Sequence, residues 1–257
     1  LLKRYSKHLT LIDEYNYKFR EAEFVHGFVA NGQIHMLFLD YDQERSVYEY
    51  TIHQSPVGTY DFTVKSLLTL PAEQVEQPLE KNYFNRNFKS GFTTTVLADP
   101  DARSFSISIL RKQKEDLQHR ILVYNNQLRK ILDVDFSAPS GEKNYAFEEM
   151  AIAPDLNSVY LVGKAYFRKR RFKEGERRYQ YELQRLDKSG IHTLIFDEPG
   201  IYSEGIKPLW RGENLVCAGF YADRKDNRYN GLEYFLVNPE TLSVLKRKYA
   251  PFSEQFM

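Results

Sequence analysis

The sequence predicts an all-β fold, and two observations carry that prediction. The chain of 257 residues contains 19 Tyr and 18 Phe but a single Trp. Tyr and Phe favour the half-buried surface of a pleated sheet. Short apolar segments bounded by Gly, Asn, Asp or Pro also recur along the whole chain, which is the pattern of strands joined by tight turns. No segment has the pattern of a long helix; residues 72–77 are expected to form one or two turns before Pro78 ends them.

The stretch 148–197 shows the structural unit most clearly. It contains four apolar or alternating segments, at 150–152, 159–167, 181–186 and 191–196. A Pro-Asp turn separates the first two, a charged loop separates the next two, and Asp187 to Gly190 joins the last two. These segments predict four consecutive antiparallel strands, a meander.

Similar units recur along the chain with a period of about 55 residues. In each, an apolar strand meets a turn and is followed by a longer apolar strand, as around Asn31-Gly32 and Arg211-Gly212. We predict a single propeller-like domain over 1–257, with units at about 21–70, 92–137, 146–197 and 204–250, a partial unit at 1–20 and an insertion at 71–91.

Regular short strands are also found in sandwiches and barrels, but two features favour a β-propeller. One is the repetition of a four-stranded unit. The other is that second strands such as 215–220 are apolar on both faces, as a blade between two neighbours requires. The chain resembles β-propellers with Kelch-like or TolB-like four-stranded blades, and its fourth unit is similar to uncharacterised bacterial propeller-like proteins. The Trp-Asp of WD repeats and the Gly-Gly of Kelch blades are absent.

The count of units predicts an open arrangement. Four inner blade halves and five outer halves are visible, so residues 1–20 form an outer half without its inner partner. We therefore expect an incomplete ring or a piece of a longer chain, whose exposed strand edges invite association.

Composition limits the possible functions. With 36 basic and 35 acidic residues the formal net charge is +1, so nucleic acid is an unlikely partner. No apolar run approaches the roughly 18 residues of a membrane helix, and the only cysteine, Cys217, excludes an internal disulfide. No zinc spacing, phosphate loop or nucleophile motif is visible, so we predict no metal, cofactor or catalytic residue. No signal peptide is visible; the compartment stays open, with a periplasmic or secreted location as the working expectation.

The loops between second and third strands are charged in every unit, and we expect them on one face together with the connections between blades. The candidate partner-binding residues combine Arg with aromatic side chains, the composition of binding hot spots. They are Arg168, Arg170, Arg171, Phe172, Tyr83, Phe84, Tyr145 and Trp210. The competing interpretations are a solvated charged loop, aromatic side chains packed onto neighbouring blades, and a Trp210 that belongs to the core.

The predicted function is a non-catalytic binding or scaffold module that uses this long-loop face for a protein, peptide or glycan partner. The alternative is a propeller-type hydrolase or lyase acting on carbohydrate or peptide at the mouth of a central channel. Two or three convergent carboxylates at that mouth would favour the enzyme.

Overall fold

The structure is a computed structural model, and it describes residues 1–18, 22–75, 94–98, 103–113, 116–136, 145–167, 178–196, 198, 200–223 and 228–253. The chain divides into two compact units, one of residues 1–117 and 124–130 and the other of residues 118–123 and 131–257. The described residues form strands almost throughout, with one 3₁₀ helix at Ala72–Gln74.

A two-stranded hairpin opens the chain, and four four-stranded antiparallel sheets follow it. The hairpin consists of β1 (Leu2–Tyr5) and β2 (Leu11–Tyr15). Sheet 1 consists of β3 (Glu23–Ala30), β4 (Gln33–Asp42), β5 (Val47–Pro56) and β6 (Thr63–Pro71). Sheet 2 consists of β7 (Thr94–Ala98), β8 (Ser104–Gln113), β9 (Asp116–Asn125) and β10 (Lys130–Phe136).

Sheet 3 consists of β11 (Tyr145–Ile152), β12 (Val159–Tyr166), β13 (Tyr179–Asp187) and β14 (Gly190–Phe196). Sheet 4 consists of β15 (Ile201–Arg211), β16 (Asn214–Asp223), β17 (Gly231–Asn238) and β18 (Ser243–Pro251). In every sheet consecutive strands are hydrogen-bonded neighbours. The prediction of an all-β fold built from four-stranded antiparallel meanders is confirmed, and the partial unit at the start of the chain is a hairpin of two strands.

Aromatic side chains organise the first unit. The Phe28 ring stacks on His35 at 4.7 Å between ring centroids and lies 5.2 Å from Phe105 of sheet 2. On the N-terminal hairpin, Tyr15 stacks on Tyr60 at 4.7 Å. Tyr17, two residues beyond that hairpin, makes a 2.5 Å hydrogen bond between its hydroxyl and His53 Nδ1. The hairpin is thus tied to sheet 1 by rings and hydrogen bonds.

In the second unit, sheets 3 and 4 pack face to face over one apolar core. Strand alternation sends every second side chain of each sheet into it, and Leu183, Cys217 and Phe235 are fully buried there. The Phe196 and Phe235 rings meet at 4.5 Å, and the guanidinium of Arg247 lies 4.4 Å from the Phe235 centroid. Burial raises the pKa of the Cys217 thiol to about 12, so this cysteine is a packing residue.

Three β-hairpin turns have the same backbone conformation, with a leucine in the left-handed region. Leu9, Leu128 and Leu242 all have positive φ, at 61°, 63° and 49°. Ahead of each Leu, the side-chain oxygen of Ser6, Asn125 or Asn238 accepts two backbone N–H hydrogen bonds across the turn. Those hydrogen bonds stabilise a turn whose left-handed residue carries a side chain.

Two of these leucines give a matched pair for a stability experiment. Leu9 is 83% exposed, whereas Leu242 is 8% exposed and belongs to the core of the second unit. Leu9→Gly should change the free energy of unfolding by less than about 1 kcal/mol, since relief of left-handed strain offsets the flexibility of glycine. Leu242→Gly should cost about 2 kcal/mol or more through lost burial. Urea unfolding of both variants tests this, and equal losses would contradict it.

Candidate functional site

A cleft of about 790 Å³ lies in the second unit, at the tight-turn ends of sheets 3 and 4. We call it the turn cleft. Its walls come from the β11–β12, β15–β16 and β17–β18 turns and from the ends of β12 and β13. The polar and aromatic side chains that line it are Asp155, Asn157, Ser158, Tyr160, Arg185, Asp187, Trp210, Glu213, Asn214, Asn238 and Glu240.

The cleft is framed by hydrogen bonds between sheet 3 and a turn of sheet 4. The Tyr160 hydroxyl donates to the backbone oxygen of Pro239 at 3.0 Å. One terminal nitrogen of Arg185 donates to the same oxygen at 3.0 Å and to the backbone oxygen of Glu240 at 2.6 Å. Both side chains are on neighbouring strands, directly opposite each other. The β17–β18 turn is therefore fixed against sheet 3 by groups that come from regular strands.

The remaining wall of the cleft contains the only Trp of the chain. Trp210 is the penultimate residue of β15, packs against the core cluster and forms a T-shaped contact with the Tyr160 ring at 5.3 Å between centroids. It also lines the cleft. The two interpretations from the sequence, a core Trp and a pocket Trp, thus describe the same side chain, which contributes to both.

Two polar groups of the cleft have shifted proton affinities. Burial alone would raise the pKa of Asp187, but hydrogen bonds from Ser189 and the charge of Arg185, whose Nε lies 3.0 Å from Asp187 Oδ2, lower it. Burial raises the pKa of Tyr160. At neutral pH the cleft therefore contains an ionised Asp187 paired with Arg185, beside a neutral tyrosine.

A second polar cluster lies between the same two sheets, near the end of sheet 3 where the β12–β13 loop leaves; we call it the loop-end cluster. Lys164 Nζ is ion-paired with Glu148 Oε1 at 3.0 Å and with Glu204. The Tyr179 hydroxyl donates to Glu204 Oε2 at 2.5 Å, and the Tyr181 hydroxyl donates to Glu148 Oε2 at 2.8 Å. The loop-end cluster thus brings together two carboxylates, a lysine and two tyrosine hydroxyls, which are linked by these ion pairs and hydrogen bonds.

A distortion of β15 builds this cluster. The register of β15 against β16 shifts between Glu204 and Lys207, where Gly205 has a φ of +62°. That bulge lets the Gly205 N–H donate to the Tyr181 hydroxyl oxygen at 2.8 Å. Burial alone would lower the pKa of Lys164, but its hydrogen bonds to Glu204 and Glu148 outweigh burial and raise it. Lys164 is therefore a firmly charged bridge between the two carboxylates.

Most of the residues predicted as a partner-binding surface lie outside the described residues. These are Arg168, Arg170, Arg171, Phe172, Tyr83 and Phe84. Tyr145 needs a correction: it is the first residue of β11, not part of a connection between strands. Its ring meets Phe136 edge-on at 5.4 Å, and burial, followed by the charges of Glu182 and Glu148, raises its pKa.

Among the described residues, no three His, Cys, Asp or Glu side chains come together in a way that would hold a metal ion. No helix in that part of the chain has the length and apolarity needed to cross a membrane.

Comparison with known proteins finds similarity in structure only. No family model matches the chain, and no curated protein matches its sequence. Uncomplexed Pyrococcus horikoshii acylaminoacyl peptidase is similar over 89% of this chain and 32% of its own, with 11% identity and a TM-score of 0.47. The β-propeller domain of the Trilobed protease from Pyrococcus furiosus is similar over 90% of this chain and 57% of its own, with 10% identity and a TM-score of 0.44.

The Cellvibrio cellulosa alpha-L-arabinanase is similar over 85% of this chain and 74% of its own, with 11% identity and a TM-score of 0.37. The chain thus spans about a third of the peptidase and just over half of the Trilobed protease chain. At these scores and identities, the likeness carries no conclusion about activity, substrate or partner.

Proposed function

We propose that this chain is a non-catalytic binding module for a protein, peptide or glycan partner, and that the turn cleft is its binding site. The observation that carries the proposal is a cleft of about 790 Å³ walled by the only Trp of the chain. Its volume is within the range of ligand-binding clefts, roughly 300–1,000 Å³. Trp is the residue type most enriched among binding hot spots, together with Tyr and Arg, and all three line this cleft.

The chemistry of the cleft favours recognition over covalent chemistry. Of the carboxylates among the described lining residues, Asp187 is ion-paired with Arg185, and Asp155 accepts hydrogen bonds from Asn157 of its own turn. Its Tyr and Arg side chains are held by backbone carbonyls of the β17–β18 turn. Groups fixed in this way present a preorganised surface, which reduces the entropy lost when a partner binds.

The type of propeller and the long-loop face, both predicted from the sequence, are part of the same proposal. We propose that the four-stranded sheets are repeated blades of a Kelch-like or TolB-like propeller from a bacterial protein. The predicted long-loop face, with Arg168, Arg170, Arg171 and Phe172, is proposed as a separate contact surface. Nucleic acid stays an unlikely partner because the chain is close to electrically neutral overall.

The loop-end cluster supports a second candidate, a hydrolase or lyase acting on carbohydrate or peptide. Glu148 and Glu204 are both ion-paired with Lys164 and both accept a hydrogen bond from the Tyr181 hydroxyl. Most enzymes that cleave a glycosidic bond use such a pair of carboxyl groups. We rank this candidate second because Lys164 is ion-paired with both carboxylates. Both carboxylates therefore already have a partner within the protein.

Peptide and glycan arrays probed with the full chain test the proposed function. The variant Trp210→Leu should lose binding to the bound array ligands by about 10-fold or more, as expected for a central aromatic anchor. The control is Leu209→Ala, since Leu209 is the adjacent residue, is 54% exposed and points to the opposite face of β15. Thermal melts of both variants verify folding. Binding that survives loss of Trp210, or arrays without any bound ligand, would contradict the proposal.

A further inference from the structure

The turn cleft is acidic in a chain that is nearly neutral. Among the described residues, four carboxylates and one guanidinium line it, a net charge of −3, whereas the whole chain has a formal net charge of +1. Asp187 is paired with Arg185. The other three carboxylates, Asp155, Glu213 and Glu240, form no ion pair with any described residue and lie in exposed turns. The local field of the cleft therefore attracts cations, although the chain as a whole does not.

Arg185, the one cationic side chain among the described residues that line the cleft, already has partners. The Arg185 guanidinium contacts Asp187 through Nε and donates to two backbone carbonyls through a terminal nitrogen. Its side chain is only 17% exposed. An anionic ligand would have to break these contacts and approach three uncompensated carboxylates. Phosphates, nucleic acid and acidic peptides are thus poor ligands for this site.

The Trp wall adds a second attraction for the same type of ligand. Indole is the aromatic ring that binds ammonium and guanidinium groups most strongly through its π face. Trp210 and the carboxylates of Asp155 and Glu213 line one cleft, so a cation there gains both interactions. The Asn214 amide, which forms no side-chain hydrogen bond with the described residues, offers one donor and one acceptor to a peptide main chain.

We propose that the turn cleft binds a lysine- or arginine-bearing peptide segment of a partner protein. This inference rests on the proposed binding function and specifies its ligand. The volume of about 790 Å³ suits a ligand larger than a single ammonium ion. The charge of the cleft selects basic over neutral or acidic segments, and the aromatic wall holds the aliphatic stem of Lys or Arg.

The emission of the single Trp provides a direct test on the full chain, because only the cleft contributes signal. Three probes are titrated: a hexapeptide of alternating alanine and arginine, the same peptide with glutamine in place of arginine, and cellohexaose. The arginine peptide should give a saturable emission change and bind at least about 10-fold more tightly than the glutamine peptide. Its affinity should fall as NaCl rises from about 50 to 500 mM, because salt screens exposed charges.

Charge variants show whether the peptide is bound by the carboxylates of the cleft or by the overall charge of the protein. Glu213→Gln combined with Glu240→Gln should weaken the arginine peptide about 10-fold, as two cleft charges are removed. The control is Glu44→Gln combined with Glu73→Gln, which removes two exposed carboxylates outside the cleft and should leave affinity unchanged. Equal binding of the glutamine peptide, or equal losses in both double variants, would overturn the inference. Emission that responds to cellohexaose alone would also overturn it while leaving the proposed binding function intact. No response to any probe would overturn it too, and the arrays decide the proposed function separately.

Discussion

Replacing Gly231 with alanine is expected to destabilise the second unit by about 3 kcal/mol, or ~10 °C in melting temperature. Gly231 begins β17 and pairs with Tyr221 on one side and Pro251 on the other. A Cβ at this position would lie 2.3 Å from the backbone oxygen of Ala250 and 2.7 Å from the Cα of Pro251. These are backbone atoms of the neighbouring strand, so relief requires β18 to move away from β17. Thermal and urea unfolding followed by circular dichroism measure the loss.

Gly27→Ala is the matched control, since Gly27 also lies in a strand. There the nearest atom to a new Cβ is Phe24 Cζ at 3.2 Å, and that ring belongs to a side chain that is 56% exposed. An exposed ring can rotate away, so the cost should stay below about 1 kcal/mol. Similar losses for both variants would mean that the β17–β18 contact is looser than its geometry indicates.

Strands and turns were the predictable part of this fold because both are encoded locally. The segments 159–167 and 191–196 were expected as strands, and they form β12 (Val159–Tyr166) and β14 (Gly190–Phe196). A strand is recognised from the alternation of apolar residues, and a turn from formers such as Asn31-Gly32. Both signals depend on residues that are only a few positions apart in the chain. Asn31 and Gly32 indeed have positive φ values of 51° and 70°, which that turn requires.

Strand starts were less predictable where the alternation is interrupted. The first strand of sheet 3 was expected at 150–152, but β11 begins at Tyr145. Its register against β12 shifts between Phe147 and Glu149. A bulge inserts one residue and reverses the faces on its far side, so residues 145–149 do not show a period of two. This is why Tyr145 was assigned to a connection.

The apolar sequence of β16 showed that both of its faces carry apolar side chains, but not what covers each face. Its apolar residues on both faces predicted neighbours on both sides. Leu215 and Cys217 are fully buried against sheet 3, but on the other face Phe220 is 39% and the facing Leu232 is 47% exposed in the described structure. Alternation determines which side chains share a face, whereas burial depends on tertiary packing.

The two polar sites were beyond prediction from sequence because their partners are distant in the chain. Arg185 and Pro239 are separated by 54 residues, and Lys164 and Glu204 by 40. No local pattern distinguishes Arg185 on an alternating strand from an exposed rim arginine. Trp210 was the exception, since a single Trp at the end of a strand is conspicuous by itself.

Lys164→Met is the second substitution with a large expected effect. Methionine keeps the unbranched apolar stem of lysine, so packing is largely preserved and the charge is lost. Glu148 and Glu204 would then face each other without the cation that bridges them. Removing one partner from a buried ion pair typically costs about 3–5 kcal/mol. Since these carboxylates are 26% and 30% exposed, solvent screening should reduce the loss to about 2–3 kcal/mol at pH 7.

A second substitution identifies the cause of that loss. Adding Glu204→Gln to Lys164→Met should recover much of the lost stability at pH 7. Lys207→Met is the control, because Lys207 pairs with Glu149 at 2.8 Å but is 63% exposed; its loss should be smaller and independent of Glu204.

The same measurements weigh the two candidate functions against each other. If Lys164 neutralises two ionised carboxylates, its loss must cost stability at neutral pH, and the loop-end cluster is a structural ion-pair network. If Lys164→Met instead unfolds like wild type at pH 7, the ion pairs of Lys164 do not stabilise the fold, and a structural role no longer explains the cluster. Two carboxyl groups held close together are what acid–base cleavage of a glycosidic bond requires. That outcome would move the hydrolase or lyase ahead of the binding module.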